Sequence, residues 1–110
     1  MSIRKEVADI RIDYLQGSLE ESEVQKNPIK QFENWFKSAV DSKVNEPNAM
    51  SLGTVYQGRP SIRIVLLKGF DDQGFVFFTN YASQKARDME ENEQVALTFF
   101  WPELERQIRI

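Results

Sequence analysis

The 110-residue sequence contains neither cysteine nor histidine. Without cysteine the chain can form no disulfide and has no thiolate nucleophile, which suits a cytoplasmic protein. Without histidine it lacks the commonest general base and the commonest metal ligand, so a Ser-His-Asp triad and a histidine-based zinc site are both excluded. Any redox chemistry must therefore be carried by a bound cofactor.

Long apolar runs and an excess of positive charge are missing as well. No apolar run approaches the roughly 18 residues that a membrane span needs, and residues 1–6 have no apolar segment typical of a secretory signal. The net charge of -3 argues against general nucleic-acid binding, which needs a basic field. Eight Phe, three Tyr and two Trp are more aromatic residues than a disordered chain usually contains, and they predict a single folded domain. We expect no nucleic acid and no membrane among its partners.

The first part of the chain, residues 1–46, reads as a helical segment. Residues 3–16 carry apolar side chains at near-helical spacing and predict a short amphipathic helix, followed by an acidic loop over 18–27. Asn27 and Pro28 predict the N-cap and first position of a second helix. The apolar stripe of this second helix, which we expect to face the core rather than a ligand, is Ile29, Phe32, Trp35, Phe36, Ala39 and Val40.

From residue 47 onward the pattern changes to short apolar stretches separated by turn signals. This spacing predicts an antiparallel sheet or barrel, so the fold class is α+β with mainly antiparallel strands. A short helix capped by Ser83 is predicted to about residue 92. The predicted strands are 49–56, 61–70, 75–79, 95–101 and 104–110.

The last predicted strand, 104–110, still alternates apolar and polar residues and carries no stop signal. A sheet cut at that point leaves an unpaired edge, which proteins normally avoid. We therefore expect the chain to be the first part of a longer protein.

The segment Arg63-Ile64-Val65-Leu66-Leu67-Lys68 brackets an apolar strand with two cations. A phosphorylated ligand needs several convergent donors, which would explain both charges. However, residues five apart point to opposite faces of an ideal strand. A strand end, a β-bulge or a subunit interface would have to bring Arg63 and Lys68 to one ligand. Taken alone, the spacing favours two surface charges that flank a buried strand.

A second polar group surrounds the predicted start of the helix at Ser83. The N-H groups of a helix start favour an anion, and Lys85 adds a formal charge in the first turn, where it opposes the helix dipole. A phosphate near Thr79, Ser83 and Lys85 would explain that placement. A plain N-cap beside a solvated lysine explains the pattern equally well.

Two further motifs say little by themselves. Arg11 and Tyr14 lie one turn apart on the first predicted helix and can share a face. Gln107, in Glu105-Arg106-Gln107, fits the solvent face of a strand. Both motifs gain meaning only in combination with the others.

Taken in order, these motifs resemble the flavin-binding sequence of the pyridoxine/pyridoxamine 5'-phosphate oxidase family. The similar segments are Arg63 to Lys68, Phe77-Phe78-Thr79-Asn80, Ser83-Gln84-Lys85-Ala86 and Leu104-Glu105-Arg106-Gln107. The resemblance covers essentially all 110 residues, but only about the first half of a family member. It implies that residues 47–110 are the first part of an FMN-binding split barrel whose C-terminal half is absent.

The resemblance also implies a homodimer with the flavin mononucleotide (FMN) at the subunit interface. By this resemblance Arg11, Tyr14 and Lys68 contact the substrate, and no catalytic residue or metal ligand falls within the chain. The residues implied to bind FMN are Arg63, Ile64, Val65, Leu66, Lys68, Phe78, Thr79, Ser83, Gln84, Lys85 and Gln107. Gln84 departs from the family's usual Arg, and Phe78 from its common Tyr.

The reaction implied is the oxidation of pyridoxamine or pyridoxine 5'-phosphate to pyridoxal 5'-phosphate, with dioxygen as the electron acceptor. Two alternatives stay open. One is another flavin split-barrel protein, such as a reductase. The other is a non-catalytic domain that dimerises and binds flavin weakly or not at all.

Overall fold

In the second half of the chain, the segments in which apolar and polar residues alternate form the strands of one sheet. The structure, a computed structural model, describes residues 6–7, 9–10 and 19–110. Five strands pair antiparallel in the order β3-β2-β1-β4-β5. The strands are β1 (Ala49–Tyr56), β2 (Arg59–Asp71), β3 (Gly74–Phe77), β4 (Ala96–Trp101) and β5 (Arg106–Arg109). The predicted mainly antiparallel fold is confirmed.

Two helices accompany the sheet in the described part of the chain beyond residue 27. Helix α1 (Pro28–Asp41) begins as predicted: the side chain of Asn27 accepts hydrogen bonds from the N-H groups of Ile29 and Lys30. Helix α2 (Gln84–Glu91) is capped by Ser83, also as predicted. The helix predicted over residues 3–16 falls largely outside the described residues. The loop predicted over 18–27 contains one short 3-10 turn, Glu21–Glu23.

Three predicted strand boundaries were wrong by a few residues. Gln57 and Gly58 alone form the first hairpin turn, with φ angles of 50° and 76°, so β2 starts earlier than predicted. Positive φ at both central positions suits the twist of a two-residue hairpin. The third strand ends at Phe77, after which Thr79 contacts Ser83 instead of continuing the sheet. A 3-10 turn at Pro102–Leu104 delays the start of β5.

The core lies between α1 and one face of the sheet, here called the inner face. Phe32 of α1 is 3% exposed. Its ring centroid lies 5.0, 4.9 and 5.1 Å from those of Phe70, Phe75 and Phe99. Trp101 is also buried, and its Nε1-H donates to the carbonyl oxygen of Pro47 at 2.9 Å. This aromatic cluster joins strands from both halves of the sheet to the helix.

The apolar stripe predicted for α1 faces this core, with one exception. Phe36 packs on Phe32 at a centroid distance of 5.7 Å. Trp35 is half-buried and carries the guanidinium of Arg106 over its ring at 4.8 Å, a cation-π contact. Val40 is exposed, because it lies at the edge of the stripe. The interpretation of Trp35 and Phe36 as packing residues fits these contacts.

The opposite face of the sheet, the outer face, is apolar and exposed. Its side chains alternate with the buried ones along each strand, as the strand period requires. Ile62, Ile64 and Leu66 of β2 are exposed to 74%, 65% and 41%. Phe100 of β4 and Val76 of β3 are exposed as well. Within the described residues, no helix combines the length and the apolarity that a membrane crossing would need.

Candidate functional site

A hydroxyl and ammonium cluster stands at the start of α2. The Oγ atoms of Thr79 and Ser83 are 3.3 Å apart, and Lys85 Nζ donates to Ser83 Oγ at 3.4 Å. Ser83 Oγ also accepts from the N-H of Ala86 at 3.3 Å, which makes it the helix cap. The structure thus brings together three of the residues predicted to bind a phosphate. We call Thr79, Ser83 and Lys85 the helix-start cluster.

The loop before α2 is shaped by Asn80. Its side-chain oxygen accepts from the N-H of Ala82 at 2.8 Å, and its carbonyl oxygen accepts from the N-H of Ser83 at 2.9 Å. Asparagine side chains commonly close turns in this way. The turn carries the chain from β3 to the first residue of α2 and sets Ser83 opposite Thr79.

The electrostatics of the helix-start cluster favour an anion. The first turn of a helix presents N-H groups and the positive end of its dipole. Lys85 is half-buried in that turn, and its ammonium group adds a full positive charge. A cation at this end of a helix is unfavourable without a counter-charge. The arrangement therefore suits a ligand with negative charge and several acceptor oxygens.

Arg63 lies on the inner face and contacts the middle of α2. Its Nη1 donates to Thr54 Oγ1 at 2.7 Å and to the carbonyl oxygen of Leu52 at 3.2 Å. Its Nη2 lies 3.7 Å from Oδ2 of Asp88, and the Arg63 side chain is 23% exposed. Since Asp88 belongs to α2, this short helix contacts Arg63 through Asp88 and has the helix-start cluster at its first turn.

Sequence reasoning missed Thr54 and Asp88. Both are 1% exposed, and Thr54 Oγ1 donates to Asp88 Oδ2 at 2.8 Å. A signal was present for each residue. Thr54 follows Met50 and Leu52 at strand period on the face that becomes the core. Asp88 lies three residues after Lys85, which places the two side chains on neighbouring positions of one helix face.

The other predicted flavin residues are distributed over both faces of the sheet. Val65 is buried on the inner face beside Arg63, whereas Ile64 and Leu66 lie on the outer face. Gln107 of β5 is exposed on the outer face, opposite Phe100. The structure does not bring Gln107 together with Arg63, because the sheet separates them. The role predicted for each residue stays a prediction.

Lys68 stands at an irregularity in β2. The pairing of β2 with β3 shifts register between Leu67 and Gly69, which marks a β-bulge. Before the bulge the odd-numbered residues, such as Leu67, point to the inner face. After it an even-numbered residue, Phe70, contacts Phe32 on that face. Lys68 itself is exposed. A bulge at Lys68 was one of the three arrangements considered from the sequence.

Phe78 and Gln84 are exposed, and Gln84 borders two polar clefts. The clefts have volumes of about 590 and about 440 Å³ and share Tyr56 and Gln84 in their walls. Arg59 lines the first cleft and Arg87 the second. Gln84 therefore lies between a cleft with one cation and a cleft that combines Arg87 with the acidic residues of α2, Asp88, Glu90 and Glu91. Arg11 and Tyr14, predicted to contact substrate, lie outside the described residues.

A third cleft, of about 470 Å³, lies between α1 and β5 and is mainly apolar, with Phe32, Trp35 and Ile108 in its wall. None of the predicted site residues in the described part of the chain lines it. Among residues 6–7, 9–10 and 19–110, no three acidic side chains lie close enough together to hold a metal ion.

Comparison with known proteins gives the family. Residues 36–110 match the family model described as pyridoxamine 5'-phosphate oxidase. The chain belongs to this family. Two curated relatives named pyridoxine/pyridoxamine 5'-phosphate oxidase are 56% identical, from Burkholderia lata, and 52% identical, from Paraburkholderia phytofirmans. Each alignment covers 105 residues, 94% of this chain and 49% of the relative. The chain thus spans about half the length of these oxidases.

Solved structures agree on the fold. PhzG from Burkholderia lata, determined in complex with tetrahydrophenazine-1-carboxylic acid, matches with a TM-score of 0.83 and 29% identity. That match covers 89% of this chain and 50% of PhzG. An FMN-binding protein related to pyridoxamine 5'-phosphate oxidase, from Nostoc punctiforme, matches with a TM-score of 0.58 and 24% identity. This second match covers 84% of this chain and 46% of the Nostoc protein. Because the identity is so low, the match shows only that the two proteins share a fold. The predicted partial split barrel is confirmed.

Proposed function

We propose that this chain binds FMN and forms part of an enzyme that oxidises pyridoxamine or pyridoxine 5'-phosphate. The observation that carries the proposal is the helix-start cluster of Thr79, Ser83 and Lys85, in a chain of the pyridoxamine 5'-phosphate oxidase family. The 56% identity to curated oxidases supports the choice of reaction.

The donors of the cluster fit the phosphate of FMN. A phosphate monoester near neutral pH carries about -1.5 to -2 charges and three strong acceptor oxygens. The cluster offers two hydroxyl groups, one ammonium group and the first-turn N-H groups of α2. Arg63 offers a planar guanidinium, which binds phosphate oxygens in a bidentate manner better than a lysine does. Together these groups would fix the phosphate end of the flavin.

The protein's contribution to the reaction is mainly binding and orientation. When bound, FMN would accept a hydride from the substrate and pass the electrons to dioxygen, with release of hydrogen peroxide. Holding two reactants in a fixed geometry supplies much of the rate enhancement in such reactions. Lys68, exposed at the β-bulge, is proposed to contact the flavin and the phosphate of the substrate. Arg11 and Tyr14 are proposed to lie against the substrate.

We further propose that the protein acts as a homodimer through the outer face. Contiguous exposed apolar surface is typical of an interaction site. Ile62, Ile64 and Leu66 on β2, with Phe100 on β4, supply such surface here. Because Gln107 lies on the same face, an interface there would bring this residue to a flavin shared between two subunits. A cytoplasmic location stays a prediction.

The first experiment is flavin retention by the purified 110-residue chain. The chain is mixed with FMN, desalted, and its visible absorption spectrum is recorded. Retention near one flavin per subunit would support the cofactor site. Retention should be weaker for riboflavin, which lacks the phosphate. A folded chain that retains neither flavin would refute the proposal for this chain.

Two observations favour second candidates. The exposed apolar outer face, with Ile62 and Ile64, favours a non-catalytic, flavin-binding or dimerising split-barrel domain. The 29% identity to PhzG, whose structure holds a different small molecule, favours a flavin protein with another substrate, or a reductase. Turnover of pyridoxamine 5'-phosphate with peroxide formation separates these: an oxidase gives both, and the other candidates give neither.

A further inference from the structure

Asp88 is a buried carboxylate that the proposed flavin chemistry does not use. It is 1% exposed and lies on the buried side of a short helix together with Ala86. Burying a charge is costly unless it is paired and hydrogen-bonded. Here the pairing is with Arg63, at 3.7 Å, and the hydrogen bond comes from Thr54, at 2.8 Å. A buried ion pair is often no more stabilising than apolar side chains of the same volume, so stability alone explains it poorly.

The direction of the hydrogen bonds follows from the chemistry of the three groups. A guanidinium only donates, and a carboxylate only accepts. The Thr54 hydroxyl therefore accepts from Arg63 Nη1 at 2.7 Å and donates its single proton to Asp88 Oδ2. Thr54 is thus a bridge whose orientation is fixed from both sides. We call Thr54, Arg63 and Asp88 the buried triad.

The triad restrains a long side chain that would otherwise be mobile. Fixing a side chain as flexible as arginine when a ligand binds lowers affinity, because its rotamer freedom is lost at that moment. In the triad Nη1 is already held by Thr54 and by the carbonyl oxygen of Leu52. Among the residues that the structure describes, Nη2 contacts Asp88 alone, at the longer distance of 3.7 Å. The guanidinium is therefore oriented before a ligand arrives.

The triad is also attached to the helix-start cluster through α2. Ser83 caps this helix, and Asp88 lies on its buried side five residues later. The helix thus carries both the anion-binding first turn and the acid that holds Arg63. This connection fixes Arg63 relative to Ser83 and Lys85.

We propose that Asp88, through Thr54, is a positioning residue that orients Arg63 toward the phosphate of the bound flavin. This inference rests on the proposed FMN site. It assigns to Asp88 a role in discriminating phosphorylated from unphosphorylated flavin, and no direct contact with the flavin.

The test is the ratio of FMN affinity to riboflavin affinity, measured by fluorescence titration of the 110-residue chain. Asp88→Asn should lower this ratio about tenfold, the order expected when a hydrogen-bonded charged group loses its partner. Riboflavin affinity should stay unchanged. A variant that merely loosens the fold would weaken both flavins equally, so the ratio separates positioning from structural damage.

A double-mutant cycle shows whether Asp88 acts through Arg63. In an Arg63→Met background, Asp88→Asn should no longer lower the ratio, because there is no guanidinium left to orient. If Asp88 acted only by electrostatic repulsion of the phosphate, its replacement by Asn would strengthen FMN binding. The ratio would then rise both with Arg63 and with Met at position 63. An unchanged or raised ratio for Asp88→Asn with Arg63 present overturns the inference.

Thr54 provides a variant that leaves the charge unaltered. Thr54→Val removes the bridging hydroxyl at nearly constant volume and should also lower the ratio, whereas Thr54→Ser should restore it. This pair keeps the test decisive if Asp88→Asn fails to fold. A wild-type chain that does not prefer FMN over riboflavin would instead refute the proposed phosphate site, and the inference with it. A wild-type preference that survives Thr54→Val refutes the inference alone.

Discussion

Gln84 offers the sharpest test of where the flavin phosphate binds. It is the first residue of α2, it is exposed, and it stands where the family resemblance leads us to expect arginine. We expect Gln84→Arg to strengthen FMN binding, since a third cation would join Lys85 and Arg63 around the phosphate. Riboflavin should bind as before, because it carries no phosphate.

The expected gain can be worked out from the geometry. An arginine at the first position of α2 directly follows Ser83, with the two Cα atoms about 3.8 Å apart, so we take roughly 6 Å as the separation between its charge and a phosphate held by Ser83. At an effective dielectric constant of about 60, between about 20 near a protein surface and about 80 in water, the attraction is about 1 kcal/mol per unit charge. Screening at physiological salt halves the attraction per unit charge. The phosphate carries nearly two charges, so the total attraction returns to about 1 kcal/mol. A gain of about 1 kcal/mol corresponds to FMN binding that is about fivefold tighter.

The same substitution should slightly destabilise the chain without ligand. A second cation in the first turn opposes the helix dipole at a cost of about 0.3–1 kcal/mol. Without flavin, the melting temperature of Gln84→Arg should therefore be a little below that of the wild type. With saturating FMN, the variant should have the higher melting temperature. This crossing is a second, independent readout of an anion at the start of α2.

A matched control adds the same charge elsewhere. Gln73 is exposed in the turn between β2 and β3, where its backbone N-H, not its side chain, bonds to Asp71. The four residues of β3 lie between it and Phe78, so the two residues are five steps apart, about 17 Å in extended chain. That exceeds the Debye length of about 10 Å at 0.1 M salt. Equal effects of Gln73→Arg and Gln84→Arg on FMN affinity would refute the reasoning.

Three other predictions test the site, the core and the outer face. Lys68→Ala should weaken flavin and substrate binding together; unchanged flavin affinity in a titration would remove Lys68 from the site. Phe32→Ala should cost about 4 kcal/mol in the free energy of unfolding by urea, since a buried ring is lost. Phe78→Ala, at a residue 74% exposed, should leave that free energy nearly unchanged, and a comparable loss would contradict this account of the core. Ile64→Lys should shift the protein toward monomer in sedimentation, and an unaltered dimer would exclude Ile64 from the interface.

Much of the fold could be predicted because its determinants are local. Asn27 and Ser83 each supply a side-chain oxygen to N-H groups two or three residues later, so both helix starts follow from neighbouring residues. The strands follow from alternation, which decides the face of each side chain without knowledge of its partner. The boundaries failed where a turn differed in length from what its composition suggested: it is shorter at Gln57-Gly58, and longer at Pro102–Leu104.

The buried triad could not be predicted in the same way. Thr54 and Asp88 are 34 positions apart, and only the packing of α2 on β1 brings their side chains to 2.8 Å. Arg63 reaches Thr54 because the register places Leu52 opposite it and Thr54 two pairs further along, on the same face of the sheet. Register is a tertiary property, and a slip by one residue would move Arg63 to the outer face.

The opposite-face arrangement of Arg63 and Lys68 links the proposed dimer to the proposed cofactor site. Arg63 is fixed on the inner face by Thr54, and the bulge leaves Lys68 exposed. A single flavin can contact both residues only if it runs past the edge of the sheet, where β2 has short β3 as its neighbour. Gln107 is on the other side of the sheet, beyond β1 and β4, so the same molecule cannot easily reach it within one subunit. A flavin shared between two copies removes this difficulty, because Gln107 would come from the second copy. Flavin binding and dimerisation should then strengthen each other by the same factor.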